Sequence, residues 1–306
     1  MSAEVGKNKF ALMPKQSSAV EKAEPGAKRI LSSMVADTLA IIPERLIAET
    51  EVWVEKGNRC FDLGARQRTR ELAAKHYAEA ASWYRKAAER NHAKAQCYLG
   101  HCYVSGWGVA EDKVEGIRWF QKSAELGDVS AQRWLGDFYE RVEEYASAIK
   151  WYRKGAEKGD FSCQYELGNC YRDGKGLAKD QIEAVKWYRK AAQQNLSTAQ
   201  YALGCCYRDG QGVMMNDNEA VKWFVKAANQ GHRESQNLLG VCHTEGGFGI
   251  QRDYAEAFKW FTLADEQGDK NAPGWLATLR HWMSPEDITE GERRIGAFRA
   301  QKDFHK

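Results

Sequence analysis

Six tryptophans recur along the chain at a near-constant interval, a regularity that a single globular core has no reason to produce. Trp83, Trp119, Trp151, Trp187, Trp223 and Trp260 are separated by 36, 32, 36, 36 and 37 residues. Each is followed directly by a second ring: Tyr84, Phe120, Tyr152, Tyr188, Phe224 and Phe261. A Leu-Gly pair stands upstream of each, at Leu63-Gly64, Leu99-Gly100, Leu135-Gly136, Leu167-Gly168, Leu203-Gly204 and Leu239-Gly240. A period in this range marks an array of supersecondary units, because one unit cannot bury its apolar face and must stack on neighbours.

Each unit reads as two helices. In the first, Ala95, Leu99, Cys102 and Tyr103 share a face at spacings of three and four. In the second, a small residue stands three before the tryptophan and another four after it, as in Ala184-Trp187-Ala191. Small residues let helix backbones approach, and the tryptophan is expected to fill the space between them. No stretch alternates as a strand would.

The glycine pairs Gly106/Gly108, Gly174/Gly176 and Gly210/Gly212 fall between the two helices, where glycine ends a helix in the left-handed conformation. "CYRDGKG" (170–176) therefore reads as a turn. A phosphate loop would need four residues between its first glycine and Gly-Lys, then Ser or Thr, after a strand. Acids gather early in second helices (Asp180, Glu183; Asp217, Glu219; Asp253, Glu256) and bases late (Arg153, Lys154; Arg189, Lys190; Lys226), matching the helix dipole. The bases read as a solvated helix face.

The pattern Ala-Gln-x-x-Leu-Gly-x-x-Tyr-x-x-Gly-x-Gly, then an acid, then Ala-x-x-Trp-Tyr-x-x-Ala-Ala resembles the Sel1-like repeat, a 36-residue relative of the tetratricopeptide repeat. Residues 95–128, 163–196 and 199–231 follow it closely, and the resemblance spans about 59–271. Two copies depart from it. The first has "ARQRTRELAAKHY" (65–77) instead of the glycine turn, and the third has "ERVEEY" (140–145) and is four residues short. The resemblance implies an all-α, right-handed α-solenoid of about six antiparallel helix-pair repeats. The expected organisation is a polar tail over 1–28, N-terminal capping helices over 29–57, repeats over 58–271 and capping helices over 272–306. An amphipathic helix is expected at 30–42, and Ser284-Pro285 with Asp287 should start a capping helix.

Composition then excludes several function classes. With 45 basic and 42 acidic residues the net charge is +3, which gives no footprint for nucleic acid. No apolar run is long enough to span a bilayer. The eight cysteines lie in or near first helices, spaced badly for bridges or a shared metal, and read as small buried residues of a cytoplasmic protein. The seven histidines form no ligand pattern, and no nucleophile elbow, paired acid or cofactor fingerprint occurs. The expectation is no enzyme, no catalytic residue, no metal and no cofactor.

What remains is recognition of another polypeptide on the concave wall. By resemblance to tetratricopeptide arrays, that wall comes from first-helix positions three before, one after and four after the Leu-Gly glycine. The candidates are Phe61 and Arg68 in the first unit, His101 in the second, and Arg133 and Asp137 in the third. The later units supply Tyr165, Asn169 and Arg172, then Tyr201 and Arg208, then Asn237. Two rings, an amide and two guanidiniums in the fourth and fifth units suit a partner bearing an acidic side chain or a C-terminal carboxylate. The leading expectation is a scaffold or adaptor. The alternatives are a cytosolic immunity or antitoxin-like protein that neutralises one effector, and a non-catalytic subunit of an enzyme complex.

Overall fold

In a computed structural model the described residues are 46–303. The helix expected at 30–42 and the tail over 1–28 lie outside them. The chain is an all-α repeat solenoid, with no strand among the described residues. Helix α1 covers residues 46–65, and α2 is Arg70–Ala88. Then follow α3 (Ala93–Ser105), α4 (Lys113–Glu125), α5 (Val129–Arg141), α6 (Tyr145–Glu157), α7 (Phe161–Asp173), α8 (Gln181–Gln193), α9 (Ser197–Asp209), α10 (Asp217–Asn229), α11 (Arg233–Glu245), α12 (Tyr254–Asp265), α13 (Ala272–Leu279) and α14 (Pro285–Asp303). Contacts divide the chain into two compact units at Gly116/Ile117. In the second unit each first helix packs on its own second helix (α5 on α6, α7 on α8, α9 on α10, α11 on α12), and each second helix packs on the next first helix. In the first unit α2 packs on α3 in the same way.

The ring after each tryptophan, not the tryptophan, fills the core. Tyr84, Phe120, Tyr152, Tyr188, Phe224 and Phe261 are at most 3% exposed. Trp83, Trp119, Trp187 and Trp223 are only half-buried, and only Trp151 and Trp260 are buried. The cause is the glycine on the partner helix. A Cβ on Gly136, Gly168, Gly204 or Gly240 would lie 2.3–2.7 Å from the ring of Tyr152, Tyr188, Phe224 or Phe261. That contact is available only to the residue on the inner side, and its neighbour points about 100° away. The tryptophans instead lie under lysine ammonium groups from the next turn. Lys86, Lys122, Lys154, Lys190 and Lys226 sit 4.0, 4.2, 4.6, 3.9 and 4.2 Å from the indole centroids. The basic stripe thus covers aromatic surface, at ~0.5–1 kcal/mol per exposed pair.

The same contact corrects the register of the first unit. Tyr84 packs on Gly57, while Gly64 receives Tyr77 instead. Leu63, the leucine of the first Leu-Gly pair, is 42% exposed, whereas Leu99, Leu135, Leu167, Leu203 and Leu239 are buried. Gly57 therefore stands where Gly136 and Gly168 stand later, and α1 runs through it without a break.

Between repeats, a buried glutamine ties each first helix to the end of the preceding second helix. Nε2 of Gln96, Gln132, Gln164, Gln200 and Gln236 donates to the carbonyl of Ala88, Ala124, Ala156, Ala192 and Ala228 at 3.0–3.2 Å. Arg85, Arg153 and Arg189 donate to the hydroxyls of Tyr103, Tyr171 and Tyr207 in the following repeat at 2.8–3.1 Å.

The turns behave as glycine requires. Gly106, Gly174, Gly210 and Gly246 end their helices at φ of 66–79°. The second glycine of each pair permits close packing. A Cβ on Gly108 or Gly212 would strike the backbone of Tyr77 or Gln181 at 2.1 Å, so the turn rests directly on the preceding second helix. At the far end Ser284 and Asp287 form a reciprocal capping box at 2.9 and 3.1 Å. Helix α14 lays Phe298 against Trp260 at 5.8 Å, and Arg294 bridges Asp253, Glu256 and Glu290.

Candidate functional site

First-helix positions are counted from the ring-accepting glycine. Position plus one proves to be partly structural. The hydroxyls of Tyr84, Tyr152 and Tyr188 donate to Asn58, Asp137 and Asn169 at 2.9, 2.9 and 2.7 Å. Repeats whose core ring is phenylalanine carry His101, Cys205 and Val241 at plus one and have no hydroxyl to satisfy. Asp137 and Asn169 therefore hold the core rings as well as being candidates for binding.

In the second unit, the fourth and fifth repeats carry the expected residues on α7 and α9. Tyr165 packs on Tyr188 with centroids 5.8 Å apart, and Asn169 also donates to Glu166 at 2.9 Å. Arg172 lies close enough to Tyr165 and Tyr188 to perturb both hydroxyls. Tyr201 packs on Phe224 at 5.7 Å and stacks on His232 at 4.8 Å, with Arg208 beside it. Each guanidinium is held by the next residue. Arg172 meets Asp173 at 2.7 and 3.0 Å, and Arg208 meets Asp209 at the same two distances. These forks hold the Asp173 and Asp209 carboxyls below the usual range. Asn237 donates to Asp269 at 2.5 Å, and exposed Arg133 reaches Ser162 at 3.3 Å.

The third repeat is acidic. Asp137, Glu140, Arg141, Tyr152 and Glu166 line a cavity of about 560 Å³. Burial pushes the Asp137 and Glu166 carboxyls up, opposed by hydrogen bonds from Tyr152 and Asn169. Lys175 pairs with Glu140 at 3.0 Å.

In the first unit, Phe61 lies on α1 at plus four from Gly57. It packs against Tyr77 at 5.0 Å and Trp107 at 5.1 Å. Arg68 does not belong there: with the register moved to Gly57, it falls in the exposed loop between α1 and α2. His101 lines a cavity of about 520 Å³ with Asn58, Phe61, Asp62, Tyr84, Tyr98, Cys102 and Trp107. Periodicity does not single out Trp107, because it sits between turn glycines. Its one signal in the sequence is a ring standing where other repeats have Lys175 and Gln211.

Cys102, Cys170, Cys206 and Cys242 are buried. Desolvation pushes the thiols of Cys102 and Cys170 up to about 12 and those of Cys206 and Cys242 to about 11. No cluster suited to a metal, and no helix long and apolar enough to cross a membrane, occurs among the described residues.

Paired helices with one repeated core, and a first-helix face whose chemistry changes from copy to copy, define a helical-repeat scaffold. The chain belongs to the Sel1 repeat family, whose profile matches residues 71–92, 93–128, 129–160, 162–196, 197–232 and 233–269. Sel1 repeat proteins generally mediate protein–protein interaction. A Sel1 repeat protein from Oxalobacter formigenes is 31% identical, with 63% of this chain and 78% of that chain covered and a TM-score of 0.55. A protective antigen of uropathogenic Escherichia coli with an SLR fold is 25% identical over 81% of this chain and 68% of that chain, with a TM-score of 0.48. An immunity protein from Pseudomonas aeruginosa is 21% identical over 71% and 81%, with a TM-score of 0.43. No match was found among curated proteins.

Proposed function

We propose that this chain is a non-catalytic, polypeptide-binding scaffold that holds its partner on the first-helix wall, the inner face of the array. One observation carries the reading. The core glycine, ring, glutamine and alanine positions hardly change between repeats, yet plus four reads Phe61, Val104, Glu140, Arg172, Arg208 and Thr244. Packing alone does not call for five kinds of side chain at six equivalent positions, all but Thr244 half-exposed; recognition of an extended, irregular ligand does. Free, mostly buried thiols suit a reducing compartment, so we place this activity in the cytoplasm.

A partner carboxylate, side-chain or C-terminal, is accommodated at Arg172 and Arg208 by displacing Asp173 and Asp209. Affinity purification from the native host with mass spectrometry tests this reading. Arg172→Ala/Arg208→Ala should lose the partner. Asp173→Asn/Asp209→Asn, which frees both forks, should retain it more tightly, by about tenfold for one charge-assisted hydrogen bond gained. Unchanged retention in both variants would remove the carboxylate groove. The same experiment separates the two roles: one partner at fixed stoichiometry is the signature of a neutralising protein, several weaker ones that of an adaptor.

A further inference from the structure

We propose that the cavity between α1, α3 and the Gly106–Gly108 turn receives the guanidinium of an arginine side chain from the partner polypeptide. The proposal rests on the polypeptide-binding reading and names the chemistry of one contact within it.

The walls are aromatic. Phe61 and Trp107 meet edge to face at 68°, and Tyr84 and Tyr98 meet at 5.1 Å behind them. Trp107 is 38% exposed although its ring packs on Phe61 and Tyr77. The close approach of Gly108 to Tyr77 fixes the turn that presents it. At the rim Asp62 is exposed, with no ion-pair partner among the described residues, and no lysine or arginine lines the cavity.

Ring faces attract a cation, and a carboxylate beside them selects one. An aliphatic side chain would leave Asp62 desolvated and unpaired. Guanidinium is flat, weakly hydrated and forked, so it can stack on Trp107 and pair with Asp62 at once; an ammonium cannot do both.

The equivalent cavity of the second unit has the same sign by different means. Where the first has Asn58, Tyr84 and Tyr98, the second has Asp137, Tyr152 and Glu166, with Glu140 alongside. Three carboxylates there face Arg141 and Lys175.

The test is a titration of full-length protein, following the Trp107 indole N–H by NMR, with that signal assigned through Trp107→Phe. The probes are the Nα-acetyl amides of arginine, lysine and leucine. A saturable shift with the arginine derivative, weakened at least fivefold by Asp62→Asn, is expected. The proposal is overturned by no saturation, by lysine or leucine binding as tightly, or by an unaffected Asp62→Asn. In affinity purification, equal partner retention by wild type and Asp62→Asn sinks the arginine pocket and leaves polypeptide binding standing. Failure of the wild type to retain any partner sinks polypeptide binding, and the titration still decides the pocket.

Discussion

The Tyr188 hydroxyl reaches Asn169 at 2.7 Å, and that single bond shows a first-helix candidate serving the core as well. A buried phenol needs an acceptor, so tyrosine repeats carry Asn or Asp at plus one and phenylalanine repeats do not. Asp137 is the exception in charge. Burial pushes its carboxyl above the usual value, so the ionised form is less favourable in the folded state than in the unfolded one. Stability contributed by the neutral form is then lost as pH rises from the unfolded value, about 3.9, through the folded one. Asp137→Asn keeps the acceptor that Asn58 and Asn169 supply elsewhere and removes the charge. Thermal melts should show the variant more stable than wild type at pH 7, with the two curves converging below pH 4. A variant that melts lower at pH 7 would mean that the charge itself stabilises the site.

At the level of the helix pair, the decisive contact is glycine against ring. Gly204 lies in α9 with ordinary helical backbone, and a Cβ there would be 2.5 Å from Phe224. Gly159 has φ of 94° but open space around it. Gly204→Ala should cost about 2–3 kcal/mol through overpacking, and Gly159→Ala about 1 kcal/mol through backbone strain alone. Urea midpoints would rank them, and the opposite order would mean that the ring moves aside freely. This contact also marks how far the sequence can be read. The period, the turns, the capping box at Ser284 and the second-to-sixth registers are legible, because spacing alone encodes them. Which ring goes inside is not: Trp187 and Tyr188 are both large and both flanked by small residues, and the choice is made by Gly168 on another helix. The first register misleads because α1 carries Gly57 and Gly64 seven residues apart, each accepting a tyrosine. Of the first-repeat candidates, Phe61 lies on α1 while Arg68 falls into a loop. The aromatic cavity at Trp107 is invisible to spacing, since it joins α1, α3 and a turn.

At the scale of the whole molecule, a repeat array must end its stacking surface, and the second unit does so by substitution. The first five tryptophans have lysine three residues on; Trp260 has Leu263 there, 6% exposed, and is itself 3% exposed. A residue that would face water in an interior repeat has become apolar because α14 covers it. Gly291 lets that helix pack closely on the Phe258 ring, which a Cβ there would meet at 2.7 Å, Phe298 closes over Trp260, and Arg294 clamps the start of α12 through Asp253 and Glu256. The pairs at Arg294 are partly exposed, so they orient the cap more than they stabilise it. Burial of Phe258, Trp260, Leu263 and Ile295 supplies most of the energy, at ~1.5–3 kcal/mol for each fully buried side chain. Truncation after Ser284 should therefore uncover an apolar end of the array. The truncated chain should melt earlier than full-length protein and run as a dimer or larger species in light scattering after gel filtration. Arg294→Ala should keep the wild-type oligomeric state with a small loss in Tm. A truncated chain as stable and as dispersed as the full-length protein would mean that the repeats need no cap at this end, and that Leu263 is apolar for some other reason.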